Sequence, residues 1–253
     1  MSTTMKHIEF QSSSYDQWQE EAVKALKGKP FESLFTKTIE NITLEPLYTK
    51  ESLIEKLGEQ LEKQVSTIRT LSQSATFAVA QQIIGDTEAS FFANLEESLA
   101  RGNEVITISS PQAFEWTEAA IAQLATYLSE NSFKIVVQST DDAVLAVFDK
   151  IDEAKREIVN GYIVAPKAFE LTSFPNVRTV CANTISYHNN GANAVQELAI
   201  ALALASKQAQ TTENFKAFEQ KFFVQFAADT QFFAEVAKIR AFKVLWKAFA
   251  SAF

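Results

Sequence analysis

The chain has 253 residues, 47% of them hydrophobic and 21% charged, with a formal net charge of −8 and an isoelectric point near 5.0. This acidity argues against nucleic acid as the main partner, because phosphate binding needs a basic face. No apolar run approaches the roughly 18–20 residues of a membrane span, and a single cysteine, Cys181, permits no internal disulfide.

The N-terminal residues lack the basic-then-apolar pattern of a secretory signal, so the expected location is the cytoplasm. Residues 1–75 read as a helical and extended arm, and 76–253 as an α/β domain. In the arm, Tyr15 to Lys27 carries Trp18, Val23 and Leu26 at helical spacing and stops at Gly28. Ile42–Thr49 is extended, since Pro46 biases Glu45 away from helix, and Ser52 to Lys63 predicts a second helix. From Asp86, a plausible N-cap, Phe91, Leu95 and Leu99 line a helix face closed by Arg101-Gly102. Val105–Ser109 reads as a strand, Pro111 to Leu128 as a helix, Phe133–Gln138 as a strand, and Asp141 to Ile151 as a helix. Gly161–Ala165, Val177–Ala182 and Phe222–Phe226 are further strands, the last two running into long helices. Short strands, apolar on both faces and separated by helices, are the mark of a parallel sheet covered by helices. About five such strands follow residue 100, where a closed (β/α)8 barrel needs eight. The expectation from the residues is therefore an α/β sheet that is either open or an incomplete TIM-type barrel.

Chemistry-bearing residues are few. His188, one of two histidines, sits in the Ser186–Gly191 turn at a strand-to-helix corner, where barrel enzymes place reactive groups. There it can act as general acid or hydrogen-bond a carbonyl; a structural or merely exposed histidine accounts for it as well. Tyr187, Asn189 and Gln138 are the accompanying candidate substrate contacts. S-x-H-x-x-G also resembles the D-x-H-x-x-G of corrinoid-binding domains, but Ser186 stands where the orienting aspartate would be. No metal-ligand cluster, G-x-S-x-G elbow, P-loop or G-x-G-x-x-G is present. Glu96-Glu97 reads as a solvated face and Asp141-Asp142 as a helix start. On the last helix, Phe232, Val236, Ile239 and Trp246 are spaced as a core-facing side, with Arg240, Lys243 and Lys247 forming a basic one.

Two long segments, YHNNGANAVQELAIALALA (Tyr187–Ala205) and FFAEVAKIRAFKVLW (Phe232–Trp246), resemble the methylmalonyl-CoA mutase family. LEPLYT (Leu44–Thr49) is similar to that family's extended arm, and Asp86–Ser109 to the helix leading into its first barrel strand. The resemblance implies a (β/α)8 barrel threaded by CoA, a separate cobalamin-binding domain, and an adenosylcobalamin-dependent radical rearrangement. It would put His188 on the substrate thioester carbonyl.

The corner, however, reads Y-H-N-N-G-A where catalytic subunits of the family have Y-H-M-Q-E-A-G-A. The region Arg69–Ile83 lacks the tyrosine and most of the arginines that catalytic subunits present to substrate. This is closer to the non-catalytic small subunit of the heterodimeric enzymes. The resemblance thus implies a component of methylmalonyl-CoA/succinyl-CoA isomerisation that supports a catalytic partner. Cobalamin would be held by the family complex, not by this chain, which shows no cobalamin-binding domain. Self-association, acyl-CoA binding by the chain itself, or a remodelled α/β interaction protein are the other readings. Nucleic acid and membrane are not expected partners.

Overall fold

The computed structural model describes residues 13–70, 77–212 and 214–253. They belong to two units, Met1–Arg69 and Thr70–Phe253.

The first unit begins with α1 (Tyr15–Ala25), opened by a reciprocal capping box between Ser14 and Gln17 and closed by Lys27 and Gly28 at φ 50° and 92°. A 3-10 turn, Phe31–Leu34, brings Phe31 edge-on to Trp18 at 6.1 Å. A two-residue antiparallel ladder follows, β1 (Thr36–Lys37) with β2 (Thr43–Leu44). The extended arm expected at Ile42–Thr49 is therefore partly a hairpin. The helix expected over Ser52–Lys63 is two helices, α2 (Lys50–Leu57) and α3 (Glu59–Thr70). Gly58, at φ 48°, breaks them apart, because a positive φ cannot continue a right-handed helix.

The second unit alternates strands and helices. β3 (Ala80–Gln82), α4 (Glu88–Ala100), β4 (Val105–Ser109), α5 (Glu118–Glu130) and β5 (Ser132–Val136) come first. A 3-10 turn at Ala143–Ala146 then leads into α6 (Val147–Lys150), followed by β6 (Gly161–Val164), β7 (Val177–Arg178) and β8 (Val180–Asn183). The last elements are α7 (Ile185–Asn189), α8 (Ala194–Ala209), α9 (Phe215–Lys221), β9 (Phe222–Gln225) and α10 (Phe232–Ala250). One parallel sheet has the order β3-β4-β5-β6-β7, and β8 pairs in parallel with β9. β7 and β8 are one extended run interrupted at Thr179, its first half serving one sheet and its second half the other. All five strands expected after residue 100 are present, in the parallel arrangement of an incomplete α/β barrel. β3 is an additional one that the sequence hides, since Ala-Gln-Gln has none of the β-branched residues that mark a strand.

Several boundaries shift for local reasons. Thr87, not Asp86, caps α4, pairing reciprocally with Ser90. Asp142, not Asp141, accepts the cap hydrogen bond of the turn at Ala143. The helix expected from Pro111 starts only at Glu118, where Thr117 is the cap. The intervening Phe114 and Trp116 leave the helix path to pack edge-on against Phe91 at 5.8 and 5.2 Å.

The helix-facing side of the sheet is the main core. Ile106, Ile108, Phe133, Ile135, Ile163 and Val177 are buried there against Phe91 and Leu95 of α4 and Ile121, Leu124 and Leu128 of α5. At Gly161 a Cβ would lie 2.4 Å from the Phe133 ring, so β6 can approach β5 only with glycine at that position. Because side chains alternate along a strand, the other face carries Thr107, Lys134, Tyr162, Cys181, Phe223 and Gln225. Tyr162 and Phe223 do meet across it, with ring centroids 5.2 Å apart.

Candidate functional site

All strands of the second unit run in parallel, so their C-terminal ends form one rim, the side on which barrel enzymes build their sites. β8 ends at Asn183, and the chain turns immediately into α7, which carries Tyr187, His188 and Asn189. The polar turn expected here is thus a short helix. Gly191, at φ 95°, releases the chain from it, and Asn193 caps α8 reciprocally with Gln196.

The rim's electrostatic centre is a residue that no sequence motif marks. Glu197, in the first turn of α8, is fully buried. Its Oε1 accepts from the Thr184 hydroxyl at 2.6 Å and from the Ala227 amide at 3.4 Å. Its Oε2 accepts from Lys238 Nζ at 2.6 Å, and His188 Nδ1 faces it at 3.4 Å. Lys238, 2% exposed, also donates to Glu235 at 2.7 Å and to the Ala227 carbonyl at 2.8 Å, which uses all three of its protons. Burial pushes the Glu197 carboxyl up, but the hydrogen bonds from Lys238 and Thr184, the Lys238 charge and the Ala227 amide outweigh it and hold it below the usual carboxylate range. Burial likewise pulls Lys238 down, and its two carboxylate partners more than restore it, leaving it raised. The network joins the β8–α7 corner to α8 and to the β9–α10 connection.

This overturns the expectation for α10. Phe232, Val236 and Ile239, read as a core-facing side, are 67%, 44% and 43% exposed, and Lys238 is the helix's one buried residue. The ion pair and the stacking of Trp246 on Phe222, at 4.7 Å and 9°, fix the roll of the helix. The Glu235–Lys238 contact, between residues three apart on α10, is desolvated on the lysine side and integral to the site. The signal that could have found it is E-x-x-K on α10 facing a lone glutamate in the alanine-rich α8.

The other candidates scatter. Tyr187, half exposed, lines a cavity of about 410 Å³ at the ends of β5, β6 and β8, together with Val136, Val164, Cys181 and Asn183. Tyr187 also borders an open groove of about 740 Å³ with Asn190, Gly191 and Gln196. His188 lines neither, and its side chain keeps 23% exposure. Asn189 and Gln138 are exposed. The structure therefore joins His188 to Glu197, places Tyr187 at the cavity, and brings neither Asn189 nor Gln138 to them. Of Arg69–Ile83, the stretch compared for tyrosine and arginines, residues 71–76 lie outside the described ones.

Below the rim, the inner sheet face is polar. Burial lowers the Lys134 ammonium, and no ion pair meets it among the described residues. Burial also pushes the Cys181 thiol up to about 12, which leaves it protonated and a poor nucleophile. Thr107 Oγ1 and Gln225 Oε1 are buried without hydrogen-bond partners among the described residues. A barrel interior is ordinarily filled with branched apolar side chains, so unpartnered polar atoms there mark a space suited to a polar chain.

Among the described residues, no group of three His, Cys, Asp or Glu is placed to hold a metal ion. None of their helices is long and apolar enough to cross a membrane. A corrinoid fits this corner poorly. The one imidazole is packed by its Nδ1 edge onto α8 and opens on neither rim cavity, and Ser186 beside it is exposed and offers no carboxylate.

Residues 157–253 match the family model described as methylmalonyl-CoA mutase. The match spans β6 through α10, including the His188 corner and the Glu197–Lys238 pair. The similarities at Leu44–Thr49 and Asp86–Ser109 fall outside it. No curated protein matches the chain.

Proposed function

We propose that the chain, whose residues 157–253 match the methylmalonyl-CoA mutase family model, acts as a small-subunit-like component of an adenosylcobalamin-dependent mutase, supporting a catalytic partner. The observation that carries this reading is the isolation of His188. It lines neither rim cavity, and its Nδ1 edge faces Glu197 at 3.4 Å. A residue that must grip a substrate carbonyl needs a walled site around it. The surface offers a second argument. β9 pairs only with β8 among the described strands. Beside its free edge lies a groove of about 600 Å³ lined by Phe223, Phe226, Ile239, Phe242 and Trp246. A free parallel edge flanked by aromatic side chains suits an interface. Because the corner does not fit a corrinoid, the cofactor of the assembly would lie outside it.

The test is co-expression with a full-length catalytic mutase subunit, followed by size-exclusion chromatography with light scattering. A stoichiometric heteromer is expected; separate elution of the two chains would defeat the reading.

A second reading rests on the polar inner face. Lys134, Thr107 and Gln225 could satisfy the amides and hydroxyl of a pantetheine arm, making the chain an acyl-CoA binder in its own right. Calorimetric titration with propionyl-CoA separates the two, because the supporting-subunit reading requires no heat of binding from the isolated chain.

A further inference from the structure

We propose that Asn190 is a spontaneous deamidation site of the folded chain, converting through a cyclic imide with Gly191 to aspartate and isoaspartate at a rate set by opening of the α7 turn. The inference is independent of which ligand or partner the corner takes.

Asparagine followed by glycine is the pairing most open to this chemistry, because no Cβ shields the glycine nitrogen. The Gly191 amide, on losing its proton to solvent base, attacks Cγ of Asn190. A C–N bond forms and Nδ2 leaves as ammonia. Water then opens the imide at either carbonyl. One opening gives aspartate; the other gives isoaspartate, whose backbone runs through the former side chain.

Two glycines follow asparagine, Gly161 and Gly191, and the fold treats the two pairs differently. Asn160 and Asn190 are both exposed. Gly161, however, is buried in β6, between Phe133 of β5 and Val177 of β7. The Phe133 ring is pressed where a Cβ would stand, and the Asn160 carbonyl accepts from the Phe133 amide at 3.3 Å. Freeing that segment means breaking the sheet. Gly191 is exposed, with open space where a Cβ would stand. Its restraints are local. Asn190 Nδ2 donates to the Ser186 carbonyl at 2.7 Å, and the Gly191 amide to the His188 carbonyl at 2.8 Å. These bonds withhold the leaving amide and the attacking nitrogen, and ψ 13° at Asn190 keeps that nitrogen away from the side-chain carbonyl. Yet α7 has five residues and buries none of them, so its opening is of the local, low-cost kind.

The product alters the corner. Aspartate at this position loses the donor to the Ser186 carbonyl, since an ionised carboxylate only accepts. Isoaspartate lengthens the backbone ahead of Asn193, the cap of α8.

The experiment incubates the whole chain in mildly alkaline buffer, with a parallel sample in concentrated urea. Peptide mass spectrometry with electron-transfer fragmentation counts aspartate and isoaspartate at each site. In the folded chain Asn190 should convert at least about tenfold faster than Asn160, the gap between local opening and disruption of a sheet. In urea the two sites should agree within about threefold, because each is then an Asn-Gly pair in an unfolded chain. Asn193→Ala, which removes the cap beside the turn, should speed Asn190 about twofold or more and leave Asn160 unchanged; circular dichroism checks that this variant is folded, and the parent-chain comparison stands without it. Equal rates at the two sites in the folded chain overturn the proposal. So does an Asn190 that stays intact when folded while its urea counterpart deamidates, or a folded Asn193→Ala that converts no faster than the parent.

Discussion

Lys238 and Glu197 are the pair whose disruption costs most, because Glu197 without Lys238 is a buried charge that has lost its lysine counter-ion, and Lys238 without Glu197 keeps only Glu235. Lys238→Met should destabilise the fold by about 3–5 kcal/mol, and the double change Lys238→Met/Glu197→Gln should recover much of that loss, since removing a whole buried pair is often close to neutral. Urea titrations of the two variants check this through the ordering of their midpoints. The pair also sets a pH dependence. Glu197 is held below its ordinary value of 4.5, so its contribution is complete above about pH 4.5 and disappears as pH falls through the lower folded-state value. Lys238 is raised above 10.5, so its contribution persists through neutral pH and is lost only in strong alkali. Stability measured from pH 7 down to pH 3 should fall less steeply in Glu197→Gln than in the parent chain; equal slopes would show that Glu197 carries none of the acid sensitivity. At Gly161 the issue is space. Alanine there would drive its Cβ to 2.4 Å from the Phe133 ring, and overpacking of this kind costs about 1–3 kcal/mol.

At the scale of elements, the aromatic stack between α9, β9 and α10 holds the last βα unit together. Trp246 lies flat on Phe222 at 4.7 Å, and on Phe249 at 5.4 Å, while Phe215 stacks on Phe253 at 4.7 Å. Trp246→Ala should cost about 2 kcal/mol, less than the 3–5 typical of a fully buried tryptophan because the ring is half-buried. Thermal unfolding followed by circular dichroism reads the loss; an unchanged melting temperature would assign the roll of α10 to the ion pair alone. These elements also show what the sequence could and could not reveal. β4, β5, β6 and β9 were legible because Val, Ile, Phe and Tyr dominate them. β3 was not, since its Ala-Gln-Gln is held by pairing to β4 and by the Asn103 side chain accepting from Gln81, a contact between distant positions. The break at Gly58 was readable in principle, for glycine is the residue that adopts a positive φ without strain. The half-exposed face of α10 was not, because its spacing satisfies a core-facing helix and only the partner of Lys238 decides the roll.

For the whole molecule, the site was legible as a place and not as a mechanism. The strand-to-helix corner located His188, yet the carboxylate that faces it at 3.4 Å lies on the next helix in an alanine-rich run with no motif to announce it. What such a corner can do depends on what surrounds it, and elsewhere on the same unit β9 offers, among the described strands, an unpaired edge beside an aromatic groove. Ile239 lies on that groove, 43% exposed, so Ile239→Glu places a charge at the proposed interface without disturbing a packed core. If the groove docks a catalytic mutase subunit, the substitution should weaken association by about tenfold or more, the effect of desolvating an unpaired charge at an interface core. The isolated chain should meanwhile melt within about 0.5 kcal/mol of the parent, as surface changes do. Co-elution profiles of the two chains over a dilution series measure the first effect and calorimetry the second. Undiminished association with Ile239→Glu would move the interface away from β9 and α10, leaving the other free edge, at β3, as the surface to test.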